Sequence, residues 1–131
     1  MAEPQRFAIL IVDDEQDLCE SLAYVLEDFG FETSTATTTA QAYHQIMNGR
    51  VDIVLSDVRM PGENGVEMIR RVRKQKPHEP VFILMTGFTD ISEKDALAAG
   101  AEVMLRKPVK LEQLQVLLER IRKQLQEKAP A

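Results

Sequence analysis

Apolar residues occur along this chain in two different patterns. Five short runs rich in Val, Ile and Phe are separated by segments whose apolar residues recur at helical spacing. This alternation predicts repeated strand–helix units around a parallel sheet. The predicted strands are residues 7–12, 31–36, 51–56, 81–85 and 101–105. Three runs are almost continuously apolar, as strands buried on both faces should be, whereas the more polar run at 31–36 is expected at a sheet edge.

The boundaries of the first three helices are indicated by their end residues. The first carries an apolar stripe that ends at Phe29, and Gly30 follows where a left-handed cap would sit. The second ends at Asn48 and Gly49. The third begins near Asn64, a favoured cap residue, and ends before Pro77.

Two more helices are predicted at residues 90–99 and 110–128. In the fifth, apolar residues lie alternately three and four apart, and we interpret them as the stripe that docks on the sheet. A coiled-coil seam would need more heptads than the sequence contains. For the last turns, which include Arg122, Lys123 and Lys128, the start of a linker is a second interpretation. At 131 residues we expect one domain at 1–128, with 129–131 as a tail or linker start.

Net charge and cysteine content exclude several functions. The formal charge of −5 argues against DNA as a direct ligand, because nucleic-acid binding needs clustered Lys and Arg. A basic run in the third helix is interpreted as a solvated face, and it comprises Arg70, Arg71, Arg73, Lys74 and Lys76. The single Cys19 cannot form an internal disulfide, and no secretion leader is visible, so a cytoplasmic location is expected. The apolar runs are too short to span a membrane.

Chemically distinctive residues follow the predicted strands. Asp13, Asp14 and Glu15 come after the first strand, Asp57 after the third, Thr86 after the fourth, and Lys107 with Pro108 after the fifth. In open parallel sheets, ligands bind beyond the carboxyl ends of the strands, where the strand order reverses. We therefore expect three carboxylates, a hydroxyl and an ammonium group to meet at one edge of the sheet.

Adjacent carboxylates repel one another, which suggests a cation between Asp13, Asp14 and Asp57. Mg²⁺ prefers oxygen ligands and is held in proteins by one or two carboxylates together with a substrate phosphate. Beside such an ion Asp57 can act as a nucleophile towards phosphorus. Lys107 and Thr86 would stabilise charge on the transferring oxygens, because phosphoryl transfer depends mainly on positioning and electrostatics.

These motifs together resemble the response-regulator receiver domain of two-component signalling. They are the acidic residues at 13–15, the segment Ser56-Asp57-Val58-Arg59-Met60-Pro61-Gly62, Thr86 after the fourth strand, and Lys107-Pro108 after the fifth. The resemblance covers nearly the whole chain. It implies a doubly wound (βα)5 fold of the flavodoxin-like order 2-1-3-4-5, with helices on both faces of the sheet.

The resemblance also implies a role for each site residue. Asp57 would be the phosphoacceptor, and Asp13 or Asp14, Asp57 and the backbone carbonyl of Arg59 would hold Mg²⁺. Lys107 would pair with the phosphoryl group, and its bond to Pro108 is usually cis in the family. The phosphoryl group would come from a histidine kinase or phosphotransfer protein. A downstream protein or output domain would bind the changed surface. Homodimers that form through helices 4 and 5 are common in the family.

Two positions depart from the family pattern. Receivers usually place Tyr or Phe three residues before the lysine, where its ring moves with the Thr, but this chain has Met104. A flexible thioether occupies several rotamers, so the resemblance implies altered coupling between Thr86, Met104 and Pro108. Gly87, where the family more often has Ala, would leave the site more open.

Three other functions are compatible with an α/β chain. An aspartate-nucleophile phosphohydrolase would need a second acid in a D-x-D motif and a cap domain, and the sequence shows neither. An interaction module without phosphorylation would have no reason to keep the acidic, Thr and Lys set. A dinucleotide-binding enzyme would need G-x-G-x-x-G after the first strand, where the acidic residues stand instead.

Overall fold

Strands and helices alternate in the computed structural model of the chain, which describes residues 6–87 and 92–128. The strands are β1 (Ala8–Val12), β2 (Glu32–Ala36), β3 (Ile53–Asp57), β4 (Val81–Thr86) and β5 (Ala101–Arg106). The helices are α1 (Gln16–Asp28), α2 (Thr39–Asn48), α3 (Gly65–Gln75), α4 (Glu93–Ala99) and α5 (Leu111–Lys128). Residues 90 and 91 of the predicted fourth helix lie outside the described residues.

The five strands form one parallel sheet in the order β2-β1-β3-β4-β5. The predicted α/β class and flavodoxin-like strand order are thus confirmed, and β2 lies at an edge as its polar sequence indicated. Each face of the sheet carries its own apolar cluster. One cluster packs α2, α3 and α4 against the sheet. The other packs α1 and α5 against the opposite face. In the described ranges, no helix is both long and apolar enough to cross a membrane.

The carboxyl ends of β3 and β4 lie one residue later than predicted. Asp57 pairs with Met85 across the β3–β4 ladder, and Thr86 pairs with Arg106 across the β4–β5 ladder. Asp57 and Thr86 are therefore the last residues of their strands, and the prediction that they follow the strands is wrong by one position. The backbone of both residues is consequently held by the sheet rather than by a loop.

The basic run of α3 is only partly a solvated face, which corrects the prediction. Arg70 and Lys74 are exposed. Arg71 lies 4.0 Å over the Tyr43 ring and pairs with Glu63 at 2.8 Å. Lys76 donates through Nζ to the carbonyl of Ile46 at 3.1 Å. Long basic side chains bury their apolar stems while their heads reach polar partners, so a charge run alone does not reveal which members pack.

Arg73 joins three segments of the chain. Its guanidinium donates to the carbonyls of Pro80 at 2.8 Å and Gly100 at 3.1 Å, and it lies 5.0 Å over the Phe82 ring. It thereby links the end of α3 to the start of β4 and to the turn between α4 and β5.

We predict that Arg73→Met destabilises the fold by about 2 kcal/mol, because two carbonyls lose a charged donor while the apolar stem is kept. Urea unfolding followed by circular dichroism measures this change. Arg70→Met removes the same charge from an exposed position of the same helix and should change the free energy of unfolding little. Equal effects of the two substitutions would contradict a specific role for Arg73.

Candidate functional site

Asp57 and Lys107 meet at the carboxyl edge of the sheet. Lys107 Nζ lies 2.7 Å from Asp57 Oδ2, and only 12% of the Asp57 side chain is exposed. Burial opposes the charge on Lys107, but the hydrogen bond and charge of Asp57, together with Asp13 and Glu15, raise the pKa of Lys107 above its ordinary value. Lys107 therefore carries a full positive charge beside the Asp57 carboxylate at neutral pH.

Asp13 is the second carboxylate of the site. It is buried, and its Oδ1 accepts a hydrogen bond from the Glu15 backbone N–H at 2.9 Å. Burial and then the charge of Asp57 raise the pKa of Asp13, and they outweigh the lowering effects of the Glu15 N–H and of Lys107. The two carboxylates are thus near enough to repel each other, as the sequence predicted.

The structure leaves Asp14 at the surface. Its side chain is exposed, and Glu15, the residue before α1, makes no side-chain cap to that helix. Asp13 and Asp57 are the buried carboxylates of this edge, and Asp14 lies at its surface, where its charge contributes to the raised pKa of Asp13. Strand β1 ends at Val12, and of the three residues between it and α1 only Asp13 is buried.

The loop after β3 is held closely around Asp57. The Val58 N–H donates to the Met85 carbonyl at 2.9 Å, and the Arg59 N–H donates to Asp57 Oδ1 at 3.3 Å. At the end of the loop, Asn64 and Glu67 form a reciprocal capping box that starts α3, which confirms the predicted cap at Asn64. Both carboxylate oxygens of Asp57 therefore have partners, one from Lys107 and one from the loop.

Thr86 and Lys107 are connected through their backbones. The Lys107 N–H donates to the Thr86 carbonyl at 2.8 Å, and Thr86 itself is buried. The Lys107–Pro108 bond is cis, as the resemblance implied, and the Glu79–Pro80 bond is also cis, which the sequence did not indicate. The last residue of β4 and the lysine after β5 thus lie side by side.

The two atypical positions lie in different surroundings. Met104 pairs with Leu84 in the sheet and is 5% exposed, within the cluster that also contains Ala96. A Cβ added at Gly87 would lie 3.8 Å from the Lys107 Cβ, an ordinary contact. Met104 is thus part of the packed core beneath α4, and the space beside Gly87 borders the lysine.

An apolar groove, which the sequence did not predict, adjoins this edge of the sheet. It encloses about 670 Å³ between α1 and the segment that leads into α5, and Asp13 and Lys107 contribute to its lining. Leu18 and Leu111 on its two sides are 48% and 49% exposed. Both residues belong to the apolar stripes of their helices, and periodicity alone did not distinguish these exposed members from the buried ones.

The donor set at this edge suits a hard divalent cation. Asp13 and Asp57 offer carboxylate oxygens, and the raised pKa of Asp13 indicates a charge that lacks sufficient compensation. In the part of the chain that the structure describes, no three His, Cys, Asp or Glu side chains form a metal cluster. Mg²⁺ does not require one, because it keeps several waters and binds one or two carboxylates. The residues therefore fit the ion.

We predict that Asp13→Asn raises the melting temperature in EDTA at pH 7 and abolishes any rise caused by MgCl₂. Because the folded-state pKa of Asp13 is raised, its contribution to stability is fully present below the unfolded pKa and is lost as pH rises through the folded pKa. At neutral pH the charge is therefore unfavourable, and Asn removes it while keeping an oxygen for the Glu15 N–H.

Thermal unfolding at several pH values measures this effect. The stabilisation by Asp13→Asn should disappear in acid, where the wild-type carboxyl is already neutral. Glu102→Gln, at an exposed position of β5, is the matched control. A lower melting temperature of Asp13→Asn at pH 7 in EDTA would contradict the prediction.

The chain matches the model of a known protein family over most of its length. A model described as the response regulator receiver domain matches residues 9–119, a range that contains Asp13, Asp57 and Lys107. The chain is a response-regulator receiver domain. Receiver domains belong to two-component systems, and they are signalling domains rather than classical enzymes.

Two similar proteins are much longer than this chain. Regulatory protein AtoC of Escherichia coli is 34% identical over 113 residues, which cover 86% of this chain and 24% of AtoC. Transcriptional regulatory protein FixJ of Bradyrhizobium diazoefficiens is 34% identical over 113 residues, or 85% of this chain and 54% of FixJ. The chain therefore spans about a quarter and about half of the length of these relatives.

Solved structures match the fold along almost its whole length. The crystal structure of a response regulator receiver domain protein from Clostridium thermocellum is 30% identical, with a TM-score of 0.79. The alignment covers 91% of this chain and 98% of that one. The receiver fold and its strand order are therefore shared with an experimentally determined structure.

Proposed function

We propose that this receiver domain is a phosphorylation-dependent signalling switch that accepts a phosphoryl group on Asp57. The observation that carries the proposal is the 2.7 Å contact between Asp57 and Lys107 beside the buried Asp13. A carboxylate that lies next to a fixed ammonium group and a second carboxylate is suited to attack phosphorus and to hold the charged product.

In the proposed reaction, a carboxylate oxygen of Asp57 attacks the phosphorus of the donor. A P–O bond forms to Asp57 while the bond from phosphorus to the donor's leaving group breaks. Lys107 is already charged, so it can pair with a phosphoryl oxygen without taking up a proton. Thr86 lies beside it, at the end of β4, where its hydroxyl can meet the same group.

Mg²⁺ is the proposed cofactor. Asp13 and Asp57 would hold it with the Arg59 backbone carbonyl, and exposed Asp14 would act through water. When bound, the ion supplies positive charge that offsets the repulsion between carboxylates and phosphate. Lys107, the Arg59 N–H and the Glu15 N–H orient the two carboxylates from the protein side.

The apolar groove is the proposed docking site of the phosphodonor. A histidine kinase or phosphotransfer protein must bring a phosphohistidine to Asp57, and the groove is lined by Asp13 and Lys107 themselves. Leu18, Leu22 and Val25 form one wall, and Val109 and Leu111 form the other. Exposed apolar surface of this kind marks protein contacts, and an apolar helix face of the donor is the matching surface.

The output is proposed to be a changed surface for a partner protein or a following domain. Phosphorylation would shift the population between two conformations, because only one of them gains contacts from Thr86 and Lys107 to the phosphoryl group. Met104 is part of this proposed switch, together with Thr86 and Pro108. We assign residues 1–128 to the receiver domain and 129–131 to a tail or linker, and a homodimer through α4 and α5 is part of the same proposal.

The test is incubation of the purified chain with acetyl phosphate, with MgCl₂ or with EDTA. We expect intact-mass spectrometry to show one added phosphoryl group with Mg²⁺ and none with EDTA. Borohydride reduction followed by peptide mapping should locate the group at Asp57. Label at any other residue, or equal labelling in EDTA, would contradict the proposal.

A further inference from the structure

The carboxyl end of α1 lacks a positive charge of its own. Its last turn contains Glu27 and Asp28 and no Lys or Arg. Helix C-termini carry partial negative charge and unpaired carbonyls, so acidic residues there are unfavourable and a cation is favourable. A cationic donor from elsewhere in the chain is therefore favourable there, in addition to the backbone N–H groups of Phe29, Gly30 and Phe31 that already pair with carbonyls of the last turn.

Arg122 of α5 is that donor. One guanidinium nitrogen donates to the Phe29 carbonyl at 2.6 Å, and the other lies 3.4 Å from Glu119 on its own helix. The guanidinium carbon lies 4.2 Å over the Phe31 ring. Only 23% of the Arg122 side chain is exposed, which distinguishes it from the exposed Lys123 that follows.

This contact lies at the end of α1 and beyond the middle of α5, away from the groove that the two helices form. Both α1 and α5 start at the edge of the sheet that carries Asp13 and Lys107, and both pack on the same face of the sheet. Leu111 lines the groove at the start of α5. Arg122 is eleven residues further on, or about 16 Å along the helix axis. Because this contact fixes the distance between α1 and α5 away from the groove, it limits how far the two helices can move apart at the groove.

We infer that Arg122 is a positioning residue for phosphodonor docking, which it serves by holding α5 to the end of α1 and so setting the spacing of the groove walls. This inference rests on the proposed function, because it assumes that a protein donor uses the groove. A small donor does not need the groove, and its reaction with Asp57 is independent of Arg122.

The test compares a protein donor with acetyl phosphate for the wild type, Arg122→Met, Arg122→Lys and Lys123→Met. The protein donor is the radiolabelled histidine kinase that, among the purified kinases of the source organism, phosphorylates the wild-type chain fastest. For Arg122→Met we expect KM for the kinase to rise about tenfold with kcat nearly unchanged, because the attacking groups are intact and the docking geometry is not. Labelling by acetyl phosphate should stay at the wild-type rate.

A conservative variant and a neighbouring substitution act as controls. Arg122→Lys keeps the charge and one donor and should recover part of the loss. Lys123→Met removes a neighbouring charge from the exposed side of α5 and should behave as the wild type. Hydrogen exchange should be faster in residues 22–31 and 118–128 of Arg122→Met, and unchanged in Lys123→Met. This measurement needs no donor.

The possible outcomes separate the role of Arg122 from the acceptor role of Asp57 and from donor docking at the groove. A wild-type KM, unchanged hydrogen exchange, or an equal loss of kinase and acetyl phosphate labelling in Arg122→Met would overturn the role of Arg122. Failure of the wild type to label with acetyl phosphate would instead overturn the acceptor role of Asp57. If no kinase transfers although acetyl phosphate does, the docking proposal fails, and with it the positioning role that depends on docking.

Discussion

Asp57→Asn should reduce phosphoryl incorporation from acetyl phosphate to background while leaving the chain folded. The amide nitrogen and oxygen of Asn are poor nucleophiles, although the side chain has almost the same shape. Stability should change by less than about 1 kcal/mol, because the lost pairing with Lys107 is offset by relief of repulsion with Asp13. Intact-mass spectrometry measures incorporation, and thermal unfolding measures stability.

A matched substitution separates the loss of the acceptor from the loss of a negative charge. Asp28→Asn removes a carboxylate from an exposed position of α1, far from Lys107, and should label as the wild type does. Residual label in Asp57→Asn at the wild-type level would mean that another side chain accepts the phosphoryl group. A collapse of the thermal transition would mean instead that Asp57 is needed for folding.

Gly65→Ala should destabilise the fold by about 1–3 kcal/mol and slow the phosphorylation of Asp57, because it overpacks a close contact. A Cβ at Gly65 would lie 2.9 Å from the Asp57 carbonyl oxygen and 3.1 Å from Leu84 Cδ2. Neither neighbour can move freely, since the Asp57 carbonyl belongs to β3 and the Leu84 side chain is fully buried. Urea unfolding and the initial rate of labelling by acetyl phosphate measure the two effects.

Gly87→Ala is the control for this substitution. It adds the same methyl group, but the nearest atom, Lys107 Cβ, would lie 3.8 Å away. Its free energy of unfolding should therefore be unchanged or slightly higher, because Ala restricts the unfolded chain more than Gly. If Gly65→Ala were as stable as Gly87→Ala, the close approach of α3 to the acceptor strand would not limit the sequence at that position.

The sequence predicted those features that depend on periodicity and on strand ends. Apolar runs located all five strands, and the polar composition of β2 placed it at an edge. The residues at the carboxyl ends of β1, β3 and β5 were expected to meet, and Asp13, Asp57 and Lys107 do meet. The reason is that parallel strands bring their carboxyl ends to one edge whatever the details of the loops.

Features that depend on tertiary contacts could not be read from the sequence. Nothing in the basic run of α3 indicated that Arg73 bonds to Pro80 and Gly100 whereas Arg70 stays in solvent. For Arg122 the start of a linker stayed open as a second interpretation, because its partner, the Phe29 carbonyl, is 93 residues away in sequence. Helix α5 in fact continues to Lys128.

Cys19 is the only cysteine of the chain, and it has no solvent exposure. Its thiol contacts the Asp13 carbonyl at 3.3 Å between α1 and the sheet, and burial raises its pKa, so the native state presents no reactive thiolate. A thiol reagent can therefore modify this residue only when α1 lifts from the sheet. The modification rate therefore measures how often this region opens beneath Asp13, and it should fall when any ligand stabilises the closed form.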